Sequence, residues 1–462
     1  MPIQLIKLHS LRSLPYLSVL VVMLAASAAG VRAQSSDAPR LELDDAVDKA
    51  LANNPQTKVT ESRLKIAGLK IDEAKSGRKP LVQFSQSIIN SNNPVFVFGS
   101  LLEQGRFGTA NFAIDALNRP DPLTNFRSLV SAQMPLFDQR QTKARVDMAS
   151  TARSQAELQS EAVRQQLRFD VVRDFYGAVL GKELLKVSDE AVRSADANRK
   201  KAKDMVDVGM TTDADFFAAE VELANASQQK LEAASRLAVT KAGLNLLIGD
   251  KPEIEREIIG DLQEKYFPVD DQAELIRRAF AKRPDYLSSE LAIKNSQRQT
   301  KAVKDLDLPR IDAFGNFGYS SPYIANGSTD YTVGVSLSYT LFDAGRKTRK
   351  ALAAEAETLA DSERQVLASQ ISLGVVRAFQ EHKTAKAKIQ VSIKSIMQAE
   401  ETLRIVKDRY KSGLTTFNEV IRSESALVRA KHSLLTARYE YYVSYASLLL
   451  ATGQLTDVRL FY

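Results

Sequence analysis

The chain has 462 residues, a formal charge of +7, 44% hydrophobic residues, no Cys, no Trp and three His. Lack of Cys excludes disulfides, thiol chemistry, Cys-ligated zinc and any lipid attached through Cys. At roughly 100 to 200 residues per domain, the length suits either two to four globular units or one strongly elongated architecture.

Residues 1–33 read as a cleaved export signal: Lys7 and Arg12 supply a positive start, Leu17 to Ala29 is apolar, and Val31-Arg32-Ala33 fits a cleavage site. Lys7, Arg12 and Arg32 leave with it, so the mature charge is +7 − 3 = +4. That value is ordinary and gives no argument for a nucleic-acid partner. His382 and His432 remain as isolated helix positions without ligand spacing, which points to packing or surface roles. No later stretch approaches the length of a spanning helix, so membrane residence would have to come from strands.

A first unit, 34–262, opens with a helix and Pro55 at the first turn of the next. Strands are expected at about 81–90 and 125–135, separated by a loop, 91–124, that carries Gly, Pro and aromatic residues. Helices follow at about 139–207 and 212–248. A second unit, 263–462, has strands at about 310–320 and 331–341 and helices at about 343–411 and 416–452. No Pro occurs between Pro135 and Pro252 or after Pro322, and both intervals are rich in strong helix formers. Apolar residues recur there at three and four positions, as in Leu167, Val171, Val172 and Phe175, or Ile371, Val375, Val376 and Phe379. A single helix over 343–411 would be roughly 100 Å long at 1.5 Å per residue, which implies a coiled-coil-like rod.

The two units are copies. At a fixed shift of 413 − 209 = 204 positions, Val171-Val172-Arg173 returns as Val375-Val376-Arg377, Lys203-Asp204 as Lys407-Asp408, Gly209 as Gly413, and Glu220 as Glu424. Upstream, Pro55 corresponds to Pro284 and Leu136-Phe137-Asp138 to Leu341-Phe342-Asp343. Those spans are 136 − 55 = 81 and 341 − 284 = 57 positions, so the first copy holds 24 extra residues between its strands.

The strands alternate. Tyr331, Val333, Val335, Leu337, Tyr339 and Leu341 share one face, and Ile311, Ala313, Gly315, Phe317 and Tyr319 share one face of the partner. Val82, Phe84 and Ile88, with Phe126, Val130, Ala132 and Met134, do the same in the first copy. Four strands cannot close a barrel, for which about eight is the minimum, and open edges are not tolerated in lipid. A spanning form must be an oligomer of eight or twelve strands. The alternative is a soluble periplasmic coiled-coil adaptor or scaffold, which explains the leader, the helices and the turns but not four strands in two equivalent pairs. No convergent acid, base or nucleophile suggests an enzyme.

With its duplicated Leu-Phe-Asp junctions, Arg346 after Gly345, and the paired turns Val208-Gly209-Met210-Thr211-Thr212 and Ser412-Gly413-Leu414-Thr415-Thr416, the mature chain resembles the TolC-like outer membrane efflux protein family. The resemblance implies a homotrimer: a twelve-stranded β-barrel in outer membrane lipid continued by a twelve-helix α-barrel tunnel in the periplasm. The residues themselves suggest no cofactor and no metal. The expected partners are a periplasmic adaptor (membrane fusion) protein and an inner-membrane pump of the RND, ABC or MFS type, in efflux or type I secretion. By the same resemblance Val208, Gly209, Met210, Ser412, Gly413 and Leu414 form the adaptor-contact tip. Asp215 and Glu419, six residues after each glycine, line or brace the periplasmic gate, and Tyr410 helps hold it shut. Thr415 stands where some relatives carry Arg, and Arg422 where an acid can stand, with Arg422 at helical spacing to pair Glu419.

Overall fold

The computed structural model describes residues 39–461, and the expected export signal lies outside the described residues. In chain order the elements are β1 (Arg40–Leu41), α1 (Leu43–Asn53), α2 (Pro55–Ser76), β2 (Leu81–Ser91), α3 (Pro94–Glu103), α4 (Ile114–Asn118), β3 (Leu123–Asp138), α5 (Gln141–Asp207), α6 (Asp213–Leu247) and β4 (Glu257–Ile258). The second half continues with α7 (Gln272–Lys282), α8 (Pro284–Asp305), β5 (Arg310–Ser321), β6 (Ser328–Ser338), α9 (Arg346–Lys411) and α10 (Phe417–Ala451).

Pro55 and Pro284 open α2 and α8, where a missing N–H costs nothing. The long helices α5 and α9 have 67 and 66 residues and are each flanked by two shorter ones laid end to end: α6 and α2 along α5, α10 and α8 along α9. The junctions are explicit. Asn54, which caps α2, donates from its side chain to the Leu247 carbonyl at the end of α6, at 2.9 Å. In the second copy Arg283, at the start of α8, donates to the Ala451 carbonyl of α10 at 3.1 Å. Packing of α5 on α8 and α10 joins the copies.

The sheet order is β2-β3-β5-β6, every neighbour antiparallel. Pairings Phe84 with Val130, Val130 with Phe317 and Phe317 with Tyr331 put the apolar alternating residues on one face. Ser87, Arg127, Ser320 and Ser328 run in register across the other. Strand β6 ends three residues short of the expected Leu341, because its partner β5 begins at Arg310 opposite Ser338, just after Pro309, which has no N–H to give a ladder. The segment 91–124, expected as a loop, instead holds α3 and α4. Asn93 accepts from the Phe96 N–H at 3.2 Å and Pro94 sits at the first helical position, so a strong start signal lies inside the loop.

The main core lies where the two copies meet mid-length, in an aromatic cluster drawn from distant segments. Phe267 stacks on Tyr445 at 4.3 Å, and His382 on Tyr441 at 4.8 Å. Phe461, 1% exposed, packs against Tyr176 and Tyr442 and tethers the end of the described chain. His382 is buried with Nδ1 3.1 Å from the Ser444 hydroxyl. Burial, with Lys386 nearby, lowers its pKa to about 4.

That shift sets a pH dependence. The folded imidazole protonates near 4 and the unfolded one near 6.5, so the unfolded chain takes up the proton first as pH falls. Stability is therefore lost progressively from about pH 6.5 to about pH 4, by about 3 kcal/mol in all. Urea unfolding at a series of pH values should show His382→Gln flattening this slope, the variant and the wild type converging at acid pH.

Candidate functional site

At the end of the helical hairpins farthest from the sheet, each reversal is built the same way. Met210 N–H donates to Met205 O at 2.8 Å and Gly209 N–H to Val206 O at 2.9 Å. Leu414 and Gly413 repeat this with Arg409 O (2.9 Å) and Tyr410 O (3.0 Å). This six-to-one, five-to-two pattern requires a left-handed residue, and Gly209 and Gly413 have φ of +70° and +72°. The loops then leave Val208, Met210 and Leu414 about two-thirds exposed (68%, 72% and 68%). Three apolar side chains standing in water around two turns form a natural contact surface.

Thr212 and Thr416 adopt extended backbone just before α6 and α10, which places Asp213, Asp215 and Glu419 in the first helical turns. Acids there sit at the positive end of the helix dipole, a structural reason for them that is independent of any channel. Asp215 accepts a hydrogen bond from the Thr211 hydroxyl. Tyr410 lies against the same group. Its hydroxyl reaches Met205 Sδ at 3.8 Å and its ring meets Phe417 at 5.6 Å. Burial, reinforced by the Asp215 carboxylate and opposed by a hydrogen bond with Thr211, raises its pKa above the ordinary phenol value.

The structure thus gathers Asp215, Thr211 and Tyr410 across the two hairpins, over a small apolar node of Ala202, Ala219, Phe417 and Val420. Glu419 stands on α10 and pairs Arg422 at 3.3 Å, both side chains substantially exposed. Near the first turn α5 carries four basic residues, of which Arg199 and Lys200 pair Asp196 within helical spacing while Lys201 and Lys203 are solvent-exposed.

One residue visible in the sequence only as a repeat marker has a larger role. The Glu424 carboxylate accepts from Asn198 at 2.6 Å and Ser194 at 3.3 Å on α5, and pairs Lys407 on α9 at 2.6 Å. It binds three helices of both hairpins just above the turns. Among the described residues no cluster suited to a metal ion occurs, and no helix is long and apolar enough to cross a membrane.

Two parallel hairpins ending in matched glycine turns, carried below a four-stranded sheet with one apolar face, define a duplicated outer-membrane channel architecture. The family model described as outer membrane efflux protein matches residues 46–250 and 275–454, and the chain belongs to that family. It is 22% identical over 428 residues to protein CyaE of Bordetella pertussis, across 90% of this chain and 84% of that one. Alkaline protease secretion protein AprF of Pseudomonas aeruginosa is 23% identical over 350 residues, 73% of this chain and 71% of that protein. The fold matches the crystal structure of the Campylobacter jejuni CmeC outer membrane channel with a TM-score of 0.74 at 17% identity, covering 89% of this chain and 85% of that one. Family members are transport channels, and the chain is a protein of this outer-membrane efflux and secretion class, not a soluble adaptor.

The glycine turns yield a direct test. A Cβ at Gly413 would meet no atom within 4 Å, so Gly413→Ala costs only backbone strain, about 1–2 kcal/mol. Gly374, equally uncrowded but inside α9, should gain up to about 1 kcal/mol on replacement by Ala. Thermal unfolding of the two variants should move in opposite directions.

Proposed function

We propose that three copies join their sheets edge to edge into one twelve-stranded barrel in the outer membrane, continued into the periplasm by a helical tunnel that serves as a passive exit duct. The observation that carries this reading is the sheet. Its outer strands β2 and β6 have no further partner among the described residues, and its apolar face exposes Phe84, Val130, Phe317, Tyr331 and Val333. In lipid such edges must be paired, and a sheet of four can satisfy this only with copies of itself.

The tunnel then ends at the two glycine turns. Val208, Gly209, Met210, Ser412, Gly413 and Leu414 present the surface for the hairpin of a periplasmic adaptor, through which an inner-membrane pump supplies energy and selects cargo. Asp215 and Glu419 belong to the entrance, where repetition about a threefold axis would bring six carboxylates together and favour cations. Tyr410 and Arg422 brace them from the same turns.

Purified protein should be a trimer by light scattering and should give discrete, cation-preferring openings in planar bilayers. Asp215→Ala combined with Glu419→Ala should reduce the cation preference several-fold in reversal-potential measurements. Openings indifferent to the double variant would keep the duct and remove these residues from its entrance.

A further inference from the structure

Residues 92–122, present in the first copy and replaced by the short link 322–327 in the second, leave the sheet at the end away from the long helices. Their helix α3 has two distinct sides. Val97 and Ser100, followed by Gln104 just past its end, are buried, while Val95, Phe98 and Leu102 are 82%, 38% and 52% exposed. Both sets follow the spacing i, i+3, i+7, so one side of the helix is seated and the other is bare and apolar.

The seat is the polar face of the sheet. Beneath α3 lie Asn125 and Arg127 of β3 and Ser320 of β5, the latter two in register and all on the face opposite Phe84, Val130 and Phe317. Glu103 pairs Arg127 at 2.9 Å and accepts from Asn125 and Ser320, each at 3.3 Å. Arg127 also pairs Asp330 of β6 at 3.3 Å. Gln104 donates to the Thr124 carbonyl at 2.9 Å and to the Asn125 side chain at 3.1 Å. In a barrel whose apolar face meets lipid, this polar face is the interior wall. The helix is therefore tied inside the mouth, not draped over the outside.

We propose that three copies of α3 meet across the barrel mouth and bury Val95, Phe98 and Leu102 against one another, forming an outer constriction with an apolar throat. This rests on the trimeric barrel. The occupant of the bare helix face is the same helix of the other two copies, since the wall that carries it is continuous with the edges where the copies join. The Glu103–Arg127–Asp330 ion triad holds each helix to its wall. Phe107 extends the apolar side, its ring 4.9 Å from Phe98 and 5.1 Å from Phe112. Ions cross such a constriction poorly because it sheds water. The duct thereby gains a second closure, at the opposite end from the glycine turns.

The chain has no Cys, so single thiols can be placed cleanly. Val95→Cys, Phe98→Cys and Leu102→Cys should each be prepared as detergent-extracted protein and treated with a short bis-maleimide. Cross-linked pairs on denaturing gels are expected from one or more of them, and none from Ile324→Cys, which is 89% exposed in the other loop. Adding Arg127→Gln should lower the cross-linking yield several-fold by releasing the helix from the wall. A trimer by light scattering in which none of the three thiols cross-links overturns the constriction and leaves the duct reading standing. A protein that is not trimeric overturns both.

Discussion

The structure depends on a joint between helix ends. Along α5 the C-terminus of α6 meets the N-terminus of α2, and along α9 the C-terminus of α10 meets the N-terminus of α8, so four short helices behave as two long ones. The carbonyls of one end face the donors of the next, which satisfies groups that a buried helix terminus would otherwise leave orphaned. The dipoles are aligned head to tail across the gap. Close approach is obligatory: a Cβ on Gly249 would lie 2.7 Å from Asn53 Cβ, and one on Gly453 would lie 2.8 Å from the Arg283 nitrogen. Both glycines have positive φ, +81° and +68°, and occupy equivalent positions in the two copies. Because of this joint, a chain that leaves the sheet, travels the length of the rod and returns only halfway still covers the whole of its long helix.

The ends of the rod are then specified by different physics. The glycine turns are made by backbone geometry and surrounded by exposed apolar and acidic side chains, a surface suited to a partner. Just above them Glu424 ties Asn198, Ser194 and Lys407 together, so movement of one hairpin against the other must break charge-assisted hydrogen bonds. At the other end the sheet separates an apolar face from a polar one by strict alternation, and the polar face carries a helix fixed by paired charges. Mid-length, the aromatic cluster around Phe267 and Tyr445 holds the two copies and the last residues of the described chain together.

Much of this was legible in the sequence because it is periodic. The shift of 204 residues, the Pro-free helices, the paired glycines and the alternation in Tyr331 to Leu337 are patterns within short windows. The features that were not legible join residues far apart or hide inside a segment of mixed composition. His382 gave no sign of its burial, since the rings that enclose it come from Phe267, Tyr441 and Tyr445. The Glu424 network spans three helices, and nothing near position 424 indicates Asn198. Helix α3 could have been found from Asn93-Pro94 followed by an apolar run, but Gly and Phe residues around it read equally well as a loop. Asp215 and Tyr410 were singled out through family resemblance, whereas their link through Thr211 is a matter of tertiary geometry.

The unfinished edges of β2 and β6 also divide the molecule thermodynamically. The helical half buries an aromatic core within one chain, although Leu231, Val239 and Val391 stay exposed along its helices. The sheet has no such core of its own: in the proposed trimer its edges and apolar face are satisfied by other chains and by lipid, and its free energy follows mass action. In that assembly one polypeptide carries a half with a core of its own and a half whose folding is an assembly reaction, so dilution acts most strongly on the second.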